Sequence, residues 1–233
     1  KPLGIGKERG DIKMIKPELL TFNQLLIERL FLIPEYQRSY SWMTKQRKAL
    51  FSDIEAVYEQ LQRNDDAVHF MSTIVCLEKA KEKIGTTPYH KYEVVDGQQR
   101  LTSLIILLKC IELKMDKKDE DYRNLCNILV KSDKATTPIL LMNHDEKQIF
   151  SDFIKKGKKP NFKNKDALKS DILLQDAISE SQEFIENWCE NKTLSDLYGV
   201  LKNNLYFVLH VIDNERLVYK IFEVLNSRGL IVE

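Results

Sequence analysis

The sequence predicts an α/β fold in which a mixed sheet with helices is followed by a mostly helical part. Short, densely apolar runs typical of buried strands occur near both ends of the chain, whereas charged amphipathic helices fill the region between them. Near the first end, one of these strands turns directly into a helix, as it does in α/β units. We therefore expect α/β structure at residues 20–115, a mostly helical part to about residue 204, and a strand at 206–212 that returns to the sheet.

The composition is that of a globular protein without a strong charge preference. The chain has 233 residues, of which 43% are hydrophobic and 30% charged, and its net charge is +1 at pH 7. This balance does not indicate a nucleic-acid partner, although a local basic patch can still bind one. The four cysteines and four histidines lack metal-binding spacing, which favours reduced core thiols over a zinc site. No apolar run approaches the roughly 20 residues that span a bilayer. We expect a cytoplasmic protein that does not contact a membrane.

The most informative stretch is at residues 92–104, where an apolar strand leads through Asp96 and Gly97 into a helix. Apolar residues recur there at helical spacing, which predicts a buried helix at 101–115. The amide N–H groups of a first helical turn point outward and favour an anion. Gly97 lets the backbone approach a ligand closely. The junction is therefore a candidate anion-binding site.

Three polar side chains follow this glycine. Arg100 carries a planar, permanently charged group that suits a phosphate, and Gln98 and Gln99 supply amide donors and acceptors. The simpler alternative is an ordinary turn, in which Asp96 caps the helix and the Gln-Gln-Arg run is solvated. The residues alone leave both interpretations open.

A second candidate segment, at 33–42, mixes aromatic residues with glutamine and arginine. Gln37, Arg38, Tyr40 and Trp42 lie within it. Aromatic rings beside a guanidinium offer a stacking surface for a base and a contact for a phosphate. Alternatively, the aromatic rings fill the core and Arg38 pairs with an acid.

The remaining elements follow from periodicity and from turn and cap residues. The first part is predicted to contain a helix from Pro17 with Thr21 or Asn23 as N-cap, a strand at 31–33, a helix from Thr44, a strand at 69–77 and a charged hairpin loop at 78–91. The second part is predicted to contain a helix at 121–131, a strand at 139–142, a helix capped by Asn143 and running through Ile154, helices at 169–188 and 193–203, and a last helix capped by Asn214.

A lysine-rich run at 155–169 carries seven lysines against one acid, Asp166. Such a run is most simply a solvated loop. The alternative is a contact with a DNA backbone.

Three separated motifs together identify a family resemblance. They are IPEYQRSYSW at 33–42, VVDGQQRLTSL at 94–104 and IFEVLNSRGL at 221–230. The chain resembles the domain of unknown function 262 family, the DGQQR-motif branch of the ParB/sulfiredoxin-like fold. Members resemble the N-terminal part of GmrSD-type modification-dependent (type IV) restriction enzymes, where this domain binds and hydrolyses a nucleoside triphosphate and an HNH-type nuclease domain follows. Related proteins act in phage defence and sense modified DNA.

The resemblance implies a role for each matching residue. The implied catalytic residues are Asp96, Gln98, Gln99 and Arg100, with Asp96 also holding Mg²⁺ or orienting a water molecule. The implied residues for binding the nucleotide are Gln37, Arg38, Tyr40, Trp42, Gly97, Asn226, Arg228 and Gly229. Arg38 and Arg100 would clamp the phosphates, and the three motif loops would meet at one pocket.

The resemblance also implies a division of the chain and a set of partners. The segments are a lead-in at 1–16, the DGQQR nucleotide-binding domain at 17–118, a helical subdomain at 119–204, and a returning strand and helix at 205–233, which end before any nuclease domain. The implied partners are DNA, including modified phage DNA, the nuclease domain, and a second copy of the chain in a homodimer. A domain of a different class, which senses DNA or docks a partner without turnover, remains the alternative.

Overall fold

The computed structural model describes residues 17–63, 66–131, 137–162 and 167–213, together with Glu215 and Val218. Its strands are β1 (Glu18–Thr21), β2 (Arg29–Ile33), β3 (His69–Ile84), β4 (Thr87–Asp96), β5 (Val130–Lys131), β6 (Thr137–Pro138), β7 (Leu140–Met142) and β8 (Leu205–Ile212). Its helices are α1 (Phe22–Leu26), α2 (Thr44–Leu61), α3 (Gln98–Lys114), α4 (Glu120–Leu129), α5 (Ile149–Lys156), α6 (Lys169–Trp188) and α7 (Leu194–Asn203). The predicted α/β fold class is confirmed.

Six strands form one mixed sheet in the order β1-β8-β3-β4-β2-β7, and β5 and β6 form a separate antiparallel pair. Strand β2 runs parallel to both of its neighbours, β4 and β7. Strand β8, which was predicted to return to the sheet, lies between β1 and β3. Because β7, β2 and β4 point the same way, the segments that follow them leave from the same edge of the sheet. These segments begin at Pro34, Gly97 and Asn143.

Helix α3 is the central helix of the molecule. Its Leu101, Leu104, Ile105, Ile106 and Leu107 are all fully buried, in agreement with the predicted core helix. A helix that is apolar on nearly all sides must be enclosed by other elements, and α3 contacts α4, α5, α6 and α7. The described part of the chain contains no helix able to cross a membrane, and all four cysteines are free.

The prediction of a loop at 78–91 is wrong, because most of these residues belong to β3 and β4. The two strands continue to a two-residue turn in which Gly85 has a φ of +60°. Oppositely charged side chains face each other across this ribbon, as in the 2.8 Å ion pair between Lys91 and Glu82. Dense charge was interpreted as a loop, whereas cross-strand ion pairs allow an exposed ribbon to be charged.

The first predicted helix is shorter than expected. Residues 18–21 form β1, and α1 covers only the five residues after them. Thr21 is confirmed as the N-cap, since its hydroxyl accepts from the Gln24 amide (3.2 Å) while the Gln24 side chain accepts from the Thr21 amide (2.9 Å). This reciprocal capping box sets where β1 ends and α1 begins.

The prediction that Asn143 caps the next helix is wrong. Helix α5 begins six residues later, at Ile149. The Asp145 carboxylate accepts from the amides of Phe150 and Ser151 (3.1 and 2.8 Å), so an aspartate satisfies the first turn instead. Of the helix predicted from Asn214, only Glu215 and Val218 are among the described residues.

Candidate functional site

The junction between β4 and α3 is made possible by a glycine. Gly97 is the N-cap of α3, with a φ of +90°. A Cβ atom there would lie 3.2 Å from both the Thr73 carbonyl oxygen and the Ile74 Cγ1 atom. Hydrogen bonding within α3 begins with the Leu101 N–H donating to the Gly97 carbonyl (3.1 Å). The N–H groups of residues 98–100 therefore have no acceptor within the helix.

We expect Gly97→Ala to destabilise the protein by roughly 1–3 kcal/mol, because alanine is strained at positive φ and its Cβ would crowd a backbone carbonyl. Urea denaturation of both proteins measures this change. Gly199→Ala is the matched control, since no atom lies within 4 Å of a Cβ placed there. Equal losses of stability in the two variants would contradict the role assigned to Gly97.

A chain of side-chain amides joins the segment after β2 to α3. We call residues 34–42 the motif-1 loop. The Gln37 side-chain nitrogen donates to the Val95 carbonyl (2.5 Å), and the Gln98 nitrogen donates to the Gln37 side-chain oxygen (2.8 Å). Gln37 and Gln98 are each 6% exposed. This buried network fixes the start of the motif-1 loop against the end of β4.

Gln99 holds the same loop further along. Its amide nitrogen donates to the Ser39 carbonyl (3.2 Å), and its oxygen accepts from the Ser41 N–H (2.8 Å). Between these contacts, the buried Tyr40 hydroxyl lies 2.7 Å from the Ser103 hydroxyl. Both ends of the Gln99 amide are therefore occupied by loop backbone, and the Tyr40 ring is enclosed in the core.

Arg100 lies on a different side of α3. Its guanidinium lies 5.6 Å from the centre of the Trp42 ring, a cation–π distance. Within the described residues it forms no ion pair and no hydrogen bond through its side chain. Burial lowers the pKa of the Arg100 guanidinium, while Asp53 and Asp96 oppose this change from a distance. Arginine nonetheless stays charged, so Arg100 is a half-buried cation without a close counter-ion in the described structure.

A buried ion pair supports Trp42. Arg47, which is 1% exposed, donates two hydrogen bonds of 2.7 Å to Glu180 on α6 and a further one to the Trp42 carbonyl. Thr44 also donates to Glu180 (2.7 Å). The end of the motif-1 loop is thereby attached to both α2 and α6.

A cleft that Arg100 does not line lies beside the motif-1 loop. Its cavity is small, with a volume of about 20 Å³, which is enough for about one water molecule. Its polar lining residues are Arg38, Ser39, Tyr40, Gln98, Gln99, Thr102, His144, Asp145, Ser170 and Asp171. The His144 Nε2–H donates to the Gln37 carbonyl (2.6 Å), which ties the segment after β7 to the motif-1 loop. The cleft therefore joins loops from two parallel strands to the start of α6.

Comparison with known proteins identifies the family. The family model described as "GmrSD restriction endonuclease, N-terminal domain" matches residues 19–232. The chain belongs to this family. A search of curated proteins found no match. The resemblance stated from the three motifs is confirmed, and the chain contains a domain that is associated with restriction endonucleases.

Two of the three motifs of this GmrSD-type domain meet in the structure. The motif-1 loop and residues 95–103 contact each other through Gln37, Tyr40, Gln98 and Gln99. Asn226, Arg228 and Gly229 lie outside the described residues. The division of the chain into domains and the catalytic and binding roles stay predictions.

Arg38 and Arg100, which the resemblance placed on one phosphate, differ in their relation to the cleft. Gln98 and Thr102 lie one helical turn apart and face the cleft with Arg38. Arg100 lies about 160° around α3 from them and is not part of the cleft lining. Arg38 therefore lines the cleft and Arg100 does not, and their joint contact with one phosphate stays a prediction.

Sequence reasoning missed several residues of the site in this GmrSD-type domain. They are Arg47, His144, Asp145, Ser170, Asp171 and Glu180. His144 and Asp145 could have been found, because polar residues that directly follow a strand often lie at the edge of a sheet where ligands bind. Arg47 carried no such signal, since it belongs to a predicted amphipathic helix. Within the described residues, no group of three His, Cys, Asp or Glu side chains could hold a metal ion by itself.

Proposed function

We propose that this GmrSD-type domain binds and hydrolyses a nucleoside triphosphate within a modification-dependent DNA restriction protein of phage defence. The observation that carries the proposal is the N-terminus of α3, where backbone amides without an acceptor among the described residues adjoin Arg100, which has no counter-ion among them. The family match supports the restriction context. We infer DNA as a partner from the same family match.

The phosphates would bind at the first turn of α3. The N–H groups of residues 98–100 are not used within the helix, and the helix dipole places partial positive charge there. Gly97 has no side chain that could cap these groups or keep a ligand away. A phosphate oxygen at this position would complete the hydrogen bonding that the described residues leave open.

Arg100 would supply the counter-charge. A half-buried guanidinium is poorly solvated, as the lowered pKa of Arg100 indicates. A phosphate beside it would restore favourable charge contacts and accept two parallel hydrogen bonds. The Trp42 ring, whose centre lies 5.6 Å from the guanidinium, adds a cation–π contact. Arg100 is thus suited to bind a phosphate rather than to stabilise the fold.

Mg²⁺ would bind between Asp96 and the phosphates. Asp96 is exposed, ends β4 and directly precedes Gly97. Mg²⁺ commonly takes one or two protein carboxylates and completes its shell with phosphate oxygens and water, so a single aspartate fits this use. When bound, the ion would neutralise charge on the phosphates.

Gln99 would then act on the motif-1 loop. Both ends of the Gln99 amide are hydrogen-bonded to the motif-1 loop, so we expect Gln99 to position that loop. Phosphoryl transfer depends mainly on positioning and on charge stabilisation. Two charged groups are available to stabilise charge: Asp96, which is exposed, and Arg100, which is half-buried.

We expect Asp96→Asn to lower the rate of triphosphate hydrolysis by at least about tenfold, because the amide binds Mg²⁺ poorly. The measurement is phosphate release from each of the four nucleoside triphosphates with Mg²⁺, with and without modified DNA. Asp66→Asn is a control at another exposed aspartate. Binding without hydrolysis by the unmodified chain would reject the enzyme and favour the non-catalytic DNA-sensing module.

A further inference from the structure

A larger cavity lies beside α5, at the start of the lysine-rich run, and we call it the α5 cavity. Its volume is about 340 Å³, which lies within the roughly 300–1,000 Å³ typical of ligand pockets. Its walls are residues 147–149, which lead into α5, the helix itself, and residues 158–162, which follow it. Neither Arg100 nor the motif-1 loop lines it. The α5 cavity is therefore separate from the phosphate site proposed above.

The segment that follows α5 is held at both ends. Gly157 ends the helix with a φ of +66°, and its N–H donates to the Phe153 carbonyl (2.8 Å). A Cβ at this glycine would lie 2.7 Å from the Leu113 Cδ2 atom, so the backbone lies directly against α3. At the other end, the Phe162 N–H donates to the Gln175 side-chain oxygen on α6 (2.6 Å). The lysines between these contacts are therefore carried by an anchored segment rather than by a free loop.

The α5 cavity carries an excess of positive charge. Three lysines line it, Lys147, Lys158 and Lys159, against one acid, Asp152. This acid is already paired, at 2.8 Å with Lys156 and at 3.7 Å with Lys158. The hydrogen bond from Lys156 lowers the pKa of the Asp152 carboxyl. Lys159 is exposed and forms no ion pair with a described residue. The charges of the cavity therefore favour an anionic occupant.

An aromatic ring adjoins these charges. The half-buried Phe162 lines the α5 cavity together with Ile149 and Pro160. The Lys147 ammonium, which also contacts Asp171 (3.1 Å), lies 5.9 Å from the centre of the Phe162 ring. Proteins that bind single strands use such rings to stack bases and neighbouring cations to contact phosphates. The cavity therefore combines a surface for a base with contacts for phosphates.

We propose that the α5 cavity binds a nucleotide of single-stranded DNA. Its base would stack on Phe162, and the flanking phosphates would contact Lys158 and Lys159. A duplex keeps its bases stacked inside, so it would use the lysines and leave the ring without a base. The ring also favours a strand over an acidic peptide, because every base has a face that stacks. The identity of the partner as DNA rests on the proposed function, whereas the cavity does not require hydrolysis of a triphosphate.

Fluorescence anisotropy tests the charged part of the α5 cavity. A labelled oligothymidylate of about 16 nucleotides is titrated with the full chain in the absence of nucleotide, over a range of salt concentrations. We expect it to bind at least about fivefold more tightly than its duplex with oligoadenylate. Lys159→Ala should weaken binding about threefold to tenfold and reduce the dependence on salt by about one phosphate contact. Lys83→Ala, at an exposed position of β3, is the matched control and should change neither quantity.

Phe162→Leu separates stacking from charge. Leucine keeps an apolar side chain but has no flat ring, so binding of the oligothymidylate should weaken about fivefold or more. An abasic strand of the same length has phosphates but no bases, and it should bind the wild type and Phe162→Leu alike. Equal losses for the two strands would overturn the stacking role, because they would indicate a disturbed segment rather than a missing ring.

Three results would overturn the proposal as a whole. They are tighter binding of the duplex than of the single strand, equal effects of Lys159→Ala and Lys83→Ala, and equal, Lys159-dependent binding of polyglutamate, which would indicate an acidic protein partner. Phosphate release from triphosphates by the same wild-type preparation is measured separately. A chain that hydrolyses triphosphate but binds no strand would count only against the α5 cavity. A chain that binds the strand as expected but neither binds nor hydrolyses triphosphate would count only against the proposed function.

Discussion

Replacement of Arg100 by alanine is expected to weaken binding of a nucleoside triphosphate with Mg²⁺ roughly tenfold to a hundredfold. The variant would lose a charge-assisted, two-pronged contact worth about 1.5–3 kcal/mol. Its melting temperature should change little, because in the described structure Arg100 forms no ion pair and only a cation–π contact with Trp42. Calorimetric titration and thermal melting of the same preparations provide both measurements.

Arg100→Lys separates charge from shape. Lysine keeps the positive charge but loses the planar fork, so a two-pronged phosphate site should remain impaired. If Arg100 were instead a surface residue or a distant partner of Asp96, Arg100→Ala would change only the melting temperature, or would have no effect. Wild-type affinity in both variants would exclude the assigned role.

Arg47→Ala is expected to cause the largest loss of stability among the changes considered. Removing one partner of a buried ion pair leaves the other without compensation, and the 20% exposure of the Glu180 side chain reduces the cost to roughly 2–4 kcal/mol. The Trp42 carbonyl loses its donor as well. Urea denaturation measures the loss, and Lys45→Ala, at an exposed position of α2, should stay within about 0.5 kcal/mol of wild type.

The same ion pair predicts a dependence of stability on pH. Burial by itself raises the pKa of the Glu180 carboxyl. Hydrogen bonds from Arg47 and Thr44 lower this pKa by more than burial raises it, so the net pKa lies below its ordinary value. Because this pKa is lower in the folded than in the unfolded state, the pair stabilises the protein at pH values above the unfolded glutamate pKa of about 4.3. The contribution disappears as the pH falls through the folded pKa. The wild-type protein should therefore lose stability in acid more steeply than Arg47→Ala. Parallel pH profiles would contradict this assignment.

Local patterns were sufficient for much of the fold. The apolar spacing of α3, the Thr21 cap and the returning strand β8 each depend on neighbouring residues, and the structure has all three. The charged ribbon of β3 and β4 was missed because its charges are balanced across strands, which becomes visible only when the pairing is known. Charge alone could not distinguish this ribbon from a solvated loop.

The site was harder to predict because its contacts connect distant parts of the chain. Arg47 pairs with a residue 133 positions later, so nothing in its local sequence marks it as buried. His144 reaches the motif-1 loop only because β7 adds to the sheet beside β2. The glutamines were predicted from the DGQQR motif, but their pattern of donors and acceptors emerges only from the fold.

The parallel pairing of β2 with β4 has a consequence for how the protein acquires its site. The hydrogen bonds between the motif-1 loop and residues 95–103 connect positions 58 to 63 residues apart. Contacts of such high sequence separation form after local helices, because a long segment of chain must first be closed. Helix α3 can therefore begin to form early without creating a site. A partly folded chain that lacks the β2–β4 pairing cannot hold the motif-1 loop in place, so the population able to bind ligand is the population in which the sheet has assembled.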